Sequence, residues 1–146
     1  MTAWSGKWRL AVDKALNYLA LARKGGLAEL GEEPVGAITR AGKAALVIVA
    51  GDASDHTWRR AKSFVAGTNQ LCIRLKYTKD ELGLTVGRTS LAIGALTDAA
   101  LALAFAKALE SCDGEVLTAL EERVKRLKAR AKEAKAHQRN VRKGKK

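Results

Sequence analysis

Residues 44–50 read Ala-Ala-Leu-Val-Ile-Val-Ala, an apolar run without the polar–apolar alternation of a half-exposed strand. A β-strand that is covered by helices on both faces has this pattern. The run is followed by Gly51-Asp52-Ala53-Ser54-Asp55, whose composition is typical of a turn and a helix cap. We therefore predict a central, fully buried strand that leads directly into a helix.

Helical and strand-like patterns alternate along the chain on both sides of this strand. The predicted helices cover residues 10–24, the segment opened by 31–34 and running to about 41, 55 to about 65, 78–83 and 97 to about 110. Further predicted strands cover residues 27–30, 71–75 and 91–96. Such alternation implies a sheet held between helical layers, so the predicted fold class is α/β.

Local signals mark several of the helix ends. Gly25-Gly26 is expected to stop the first helix, and Pro34 suits the first turn of the second, where its missing N–H costs nothing. Thr78 and Glu81 have the spacing of a capping box. Thr97-Asp98 is expected to cap the alanine-rich helix that follows.

Length and composition indicate one domain with an extension. The chain has 146 residues, of which 47% are hydrophobic, enough for one core but not for two. No apolar run approaches the roughly 18–20 residues that cross a bilayer, so no membrane partner is expected. Residues 1–21 are interrupted by charges and predict an amphipathic helix and not an export signal. Cys72 and Cys112 show no paired spacing, which favours a reducing, cytoplasmic location without a disulfide.

Positive charge is concentrated at the end of the chain. Residues 123–146 contain 12 Lys/Arg and one acid, a formal charge of +11, whereas the other 122 residues contain 15 Lys/Arg and 14 acids, a balance of +1. Such an end attracts a polyanion, of which nucleic acid is the commonest for a small basic protein. We predict a domain at 1–112, a basic amphipathic helix at 113–136 and a disordered basic tail at 137–146.

The predicted basic helix carries an apolar stripe with alternating spacings of three and four. Its members are Leu117, Leu120, Val124, Leu127 and Ala131. Three interpretations are open: the stripe docks on the domain's own helices, it forms a coiled coil with a second copy through residues 117–131, or the helix orders only on binding. The second interpretation would make this a protein-interaction or self-associating module.

Several segments together resemble the ribosomal L-seven-Ae/L-thirty-e family, and more narrowly its bacterial YlxQ-type branch. They are LNYLALARKGG at 16–26, GEE at 31–33 and KAALVIVAGDAS at 43–54, continued in order by LG at 82–83, GRTS at 87–90 and the segment 93–98. The resemblance covers about residues 12–110 and leaves out the basic extension. It implies a three-layer α-β-α sandwich around a four-stranded mixed sheet, and a ribosomal-protein-like role in structured RNA binding, as in the family's kink-turn ribonucleoproteins, without catalysis.

The residues at the start of the second helix depart from the family's kink-turn pattern. Gly31 matches, but Glu33, Pro34 and Ala37 stand where kink-turn-binding members carry Asn, Glu and Lys. A carboxylate at position 33 can accept a hydrogen bond from a base but cannot donate one as an amide does. The resemblance therefore implies RNA binding more firmly than it implies the standard kink-turn contacts.

The residues expected to contact RNA come from the charged helix ends, the loop before the last strand and the basic extension. They are Arg23, Lys24, Gly31, Glu32, Glu33, Lys43, Arg88, Thr89, Ser90, Arg123, Arg126 and Arg130. Arg59, Arg60 and Lys62 are interpreted as a solvated helix face, and Trp58 as a core residue.

The sequence contains no pattern that predicts enzyme chemistry. There is no phosphate-binding loop, nucleophile elbow or zinc spacing, and His56 and His137 are far apart. We expect no cofactor, no metal and no small-molecule substrate. Truncation after Asp113 is expected to flatten the salt dependence of RNA binding while leaving RNA preference intact.

Overall fold

A computed structural model describes residues 13–109 and 112–144 of the chain. Six helices and four strands lie within these ranges, and their order agrees with the predicted alternation. They are α1 (Lys14–Lys24), β1 (Ala28–Leu30), α2 (Glu32–Arg40), β2 (Leu46–Val49), α3 (Asp55–Val65), β3 (Leu71–Arg74), α4 (Lys79–Thr85), β4 (Ile93–Leu96), α5 (Ala99–Ala108) and α6 (Gly114–Gly144).

The four strands form one mixed sheet in the order β1-β4-β2-β3. β2 pairs in parallel with β3, whereas β4 is antiparallel to both β1 and β2. Every residue of β2 is buried, because helices cover both of its faces. The predicted central strand and the four-stranded mixed sheet are thus confirmed.

The helices form two layers, one on each face of the sheet. α2 and α3 pack against each other and onto the sheet, and α1 and α5 form the opposite layer. α4 contacts α1, and α6 packs against α5. This arrangement is the predicted three-layer α-β-α sandwich.

The predicted caps are present. The Thr78 side chain accepts a hydrogen bond from Glu81 N, and Glu81 accepts one from Thr78 N, which completes the capping box of α4. Asp98 caps α5 by accepting from Leu101 N at 2.9 Å. α1 ends at Lys24, before the predicted glycine stop, and Gly26 takes a positive φ of 70°. These local patterns were readable in sequence because each side-chain acceptor lies three residues from its donor.

Three predicted boundaries differ from the structure. α1 starts after its N-cap Asp13, and the earlier residues of the predicted N-terminal helix lie outside the described residues. α4 continues to Thr85, because Gly83 packs within the helix and does not end it. α6 runs to Gly144, so residues 137–144 are helical and not the predicted disordered tail. Residues 137–144 read His-Gln-Arg-Asn-Val-Arg-Lys-Gly, in which Gln, Arg and Lys favour a helix, and extending a helix that has already formed requires no new nucleus.

The first half of the α6 stripe docks on the domain. Leu120 is completely buried, and Leu117 and Val124 pack against the core beside α5. Leu127 is 46% exposed, and Ala131 is exposed. The stripe therefore packs against the domain's own helices as far as Val124, as the first interpretation expected.

Leu120→Ala is expected to lower the free energy of unfolding by about 2–4 kcal/mol, because it removes a fully buried side chain and leaves a cavity between α5 and α6. Leu127→Ala is the matched control and should cost under about 1 kcal/mol, since that side chain is half exposed. Urea unfolding measures both. Equal costs for the two substitutions would mean that α6 is not docked through Leu120.

None of the helices within residues 13–109 and 112–144 is both long and apolar enough to cross a membrane.

Candidate nucleic-acid interface

Apart from Lys24, the sequence-predicted contact residues fall into two groups, one near each end of the sheet. β1 and β2 run in the same direction, and both are antiparallel to β4. Gly31 follows β1, so it lies at the end where β2 finishes, whereas Lys43 and Ala44 precede β2 at the other end. We call the first group, residues 31–33 and 88–90 with Arg23, the α2 edge.

Gly31 shapes the start of α2. Its φ is 100°, a conformation that favours glycine, and its N–H donates to the Ile93 carbonyl at 3.0 Å. In the part of the chain that the structure describes, the N-cap of this helix provides no side chain that accepts from its first N–H groups. The Arg88 side chain lies beside this glycine, since a Cβ at this position would be in ordinary contact with Nη1 of Arg88, at 3.8 Å. The uncapped N–H groups and the Arg88 guanidinium therefore face one small area of surface.

The loop that carries Arg88 is held tightly against α4. Arg88 N–H donates to the Gly83 carbonyl at 2.7 Å. A Cβ at Gly83 would lie only 2.6 Å from the Ser90 Cα, so the two backbones touch where Gly83 has no side chain. Arg88, Thr89 and Ser90 are all exposed. The backbone is fixed while its three side chains remain available to a ligand.

Arg23 joins this edge from α1. A Cβ at Gly87 would lie 3.9 Å from its guanidinium carbon. The neighbouring Lys24 is exposed in the last turn of α1, where a cation suits the helix dipole. The structure thus places Arg23 beside the loop that carries Arg88, and Arg88 beside the start of α2, although the three are far apart in sequence.

One acidic residue of α2, Glu32, has a partner that sequence reasoning missed. Arg60 Nε lies 2.6 Å from Oε1 of Glu32, and its guanidinium lies 5.3 Å from the centre of the Phe64 ring. Arg60 is more than half exposed, which agrees with its interpretation as part of a solvated helix face, so this ion pair lies at the surface. Glu33 remains exposed. Arg60 offsets one carboxylate, so repulsion of a phosphate at this edge is smaller than the sequence suggested.

A groove of about 600 Å³ runs between α2 and α3 beside this ion pair. Gly36 forms part of its wall, and a Cβ there would lie 3.2 Å from the Phe64 ring, so the glycine lets the ring lie close to α2. Arg40 and Glu33 also line the groove. No local pattern in the sequence indicated it, because it depends on how two helices pack.

The second group surrounds a cleft of about 350 Å³ beside α6, which we call the arginine cleft. Arg123, Arg126 and Arg130 line one side, and Thr68, Asn69 and Gln70 line the other. Lys43 is exposed next to Gly42, which also lines the cleft. Four further predicted contacts, Lys43, Arg123, Arg126 and Arg130, thus lie near one another. The polar residues at 68–70 also line this cleft, although nothing in the sequence pointed to them.

A third cavity, of about 320 Å³, contains both cysteines. Burial raises the pKa of the Cys72 thiol to about 11, although the charge of Lys62 opposes this. Burial and the charge of Asp113 raise the pKa of Cys112. Both thiols are therefore protonated at neutral pH, which makes them poor nucleophiles.

Trp58 packs against the core, as predicted, and Nζ of Lys62 lies 5.5 Å from the centre of its ring.

Within the described ranges, no three His, Cys, Asp or Glu side chains are grouped so that they could hold a metal ion.

Comparison with known proteins finds similarity at the level of structure. No family model matches the chain, and no curated protein matches it. A solved structure described as a protein with unknown function from Bacillus halodurans superposes with a TM-score of 0.63 and 23% identity, over 68% of this chain and 99% of that one. The Giardia lamblia 15.5kD RNA binding protein superposes with a TM-score of 0.57 and 18% identity, over 76% of this chain and 90% of that one. At such identities the likeness establishes a shared fold, the α-β-α sandwich described above.

Proposed function

We propose that this chain is a non-enzymatic RNA-binding protein of the YlxQ type within the ribosomal L-seven-Ae family. The α2 edge recognises a structured RNA, and α6 supplies phosphate contacts. Cytoplasmic ribonucleoprotein or translation machinery is its proposed setting. The naming of the Giardia neighbour as an RNA binding protein supports the assignment.

The observation that carries the proposal is the convergence of Arg23, Arg88 and the uncapped start of α2 on one exposed edge. N–H groups at a helix start favour phosphate, and arginine can both bond phosphate and stack on an unpaired base. Glu33 adds an acceptor that can read a base amino group. An edge with donors, a stacking cation and an acceptor suits a folded RNA with exposed bases better than a uniform duplex.

Glu33, Pro34 and Ala37 differ from the kink-turn pattern, so we do not extend the proposal to the standard kink-turn contacts. Pro34 removes one N–H from the helix start, but this N–H belongs to the first turn. RNA recognition here depends on Arg88 in place of the absent Asn and Lys.

Arg88→Gln is expected to weaken binding of an RNA hairpin that contains an asymmetric internal loop by about tenfold, the effect of losing a charge-assisted hydrogen bond. Arg88→Lys should recover only part of the loss, because an ammonium lacks the planar fork. Fluorescence anisotropy with the labelled hairpin measures both.

The charge control is Lys107→Gln on α5, an exposed cation with a distant partner, Glu121, at 3.9 Å. It should change affinity by less than about twofold. Equal losses for Lys107→Gln and Arg88→Gln would show that the α2 edge contributes only charge. No preference of the wild-type chain for the hairpin over an unstructured RNA of the same length would contradict the proposed function itself.

A further inference from the structure

The arginine cleft is built on fixed parts of the fold. Gln70 is 6% exposed, and its side chain bridges two elements: Oε1 accepts from Ala44 N at 2.9 Å, and Nε2 donates to the Thr39 carbonyl at 2.9 Å. Arg123 donates from Nη1 to the Ala44 carbonyl at 3.0 Å. The floor of the cleft and the helix above it are therefore both bonded to the segment that leads into β2.

The position of α6 brings its arginines to one side. Arg123, Arg126 and Arg130 are spaced by three and four residues, so they lie on one face of the helix. Lys128 and Lys132 lie on the opposite face. Within one basic helix, the arginines line the cleft while these two lysines point away from it.

The acids nearest to the cleft arginines along α6 are Glu122 and Glu133, and in the described part of the chain neither forms an ion pair with them. No Asp or Glu is among the residues that line the cleft, and in the described part of the chain none of its three arginines forms an ion pair. Cations held on adjacent turns repel one another unless an anion lies between them. The guanidinium of Arg123 already donates a hydrogen bond to the Ala44 carbonyl, whereas Arg126 and Arg130 are exposed. An arginine fork presented in this way matches the oxygens of a phosphate group.

We propose that the arginine cleft is a discrete binding site for RNA backbone phosphates, separate from the α2 edge. This inference rests on the proposed function and deepens it. Residues 44–50 span roughly 20 Å between the two ends of the sheet. The phosphates bound by Arg126 and Arg130 therefore belong to a different segment of the RNA from the one that contacts Arg88, and the protein holds two parts of its RNA at once.

The test compares two double variants with the same loss of charge and the same spacing. Arg126→Gln with Arg130→Gln empties the cleft of its free arginines, and Lys128→Gln with Lys132→Gln removes two cations from the opposite face. All four side chains are exposed, so neither variant should alter folding. For the labelled hairpin with an internal loop, the cleft variant should lose about tenfold more affinity than the lysine variant.

Backbone footprinting of the same hairpin gives an independent readout. The wild-type chain should protect two separate segments; the cleft variant should lose one of them, and Arg88→Gln should weaken the other. Equal losses of affinity from both double variants, or a single protected segment, would overturn the cleft site while leaving RNA binding intact. A wild-type chain that binds no RNA would instead overturn the proposed function and the cleft site with it.

Discussion

Removal of residues 132–146 should strongly flatten the salt dependence of RNA binding. The deletion takes away seven Lys/Arg and one acid, which lowers the formal charge from +12 to +6. Each phosphate contact contributes roughly 0.7–0.9 to the slope of log affinity against log salt. If about three to five of the six cations beyond Lys132 contact phosphates, the slope should shrink by about 2–4.5. Anisotropy titrations between about 50 and 200 mM salt measure it.

The deletion begins at residue 132 because the structure makes a shorter chain unsuitable. Truncation after Asp113 would remove Leu120, which is fully buried, together with the Arg123 contact to Ala44. It would therefore expose the surface of α5 that α6 covers and lower the free energy of unfolding. We therefore no longer expect the preference for structured RNA to survive truncation after Asp113. A chain that ends at Ala131 retains the docked part of α6 and the arginine cleft.

A full-length variant in which the same seven cations are replaced by Gln is the matched control. It should reproduce the slope of the deletion, because the slope depends on charge and not on chain length. In both, the ratio of affinities for structured and unstructured RNA should stay as in the wild type, since the α2 edge is untouched. An unchanged slope with a lost preference would reverse the roles assigned to the two parts.

Elements whose signals are local were predictable from the sequence. The run at 44–50 contains β2, α3 has the predicted bounds, and the Thr78–Glu81 capping box is present. In each case the apolar pattern or the cap depends only on neighbouring residues. α6 ends further along the chain than predicted because the prediction relied on burial, whereas a helix that has already formed can extend through Gln, Arg and Lys without burying them.

The geometry of the candidate sites depends on contacts across the fold and was largely beyond sequence reasoning. The approach of Arg88 to Gly31 joins positions 57 residues apart in sequence. Arg60 pairs with Glu32 only because α2 and α3 pack side by side. Gln70 has no distinguishing neighbours in the sequence, yet it bridges Thr39 and Ala44. Sequence reasoning could identify residue types suited to RNA but not which of them share a surface.

Gly83→Ala is expected to destabilise the fold and to weaken RNA binding, although alanine is the better helix former. Alanine in place of a mid-helix glycine favours the folded state by about 1 kcal/mol. Here the added Cβ would lie 2.6 Å from the Ser90 Cα and 2.9 Å from the Arg88 carbonyl oxygen, so backbone must move. Such overpacking costs about 1–3 kcal/mol or more, and a contact with backbone belongs at the upper end. We expect a net loss of about 2 kcal/mol in urea unfolding.

The same displacement should carry Arg88 away from Gly31, because the loop is bonded to Gly83 through the Arg88 N–H. Affinity for the internal-loop hairpin should therefore fall about tenfold under conditions where the variant is still folded. Gly36→Ala is the matched control: it also lies inside a helix, but its Cβ would meet the edge of the Phe64 ring at 3.2 Å. A half-buried ring can shift, so this variant should stay within about 1 kcal/mol of the wild type and keep its RNA affinity. A Gly83→Ala protein that is as stable as the wild type and binds RNA equally well would show that the 88–90 loop is not held by its contact with α4, and that the position of Arg88 does not determine recognition.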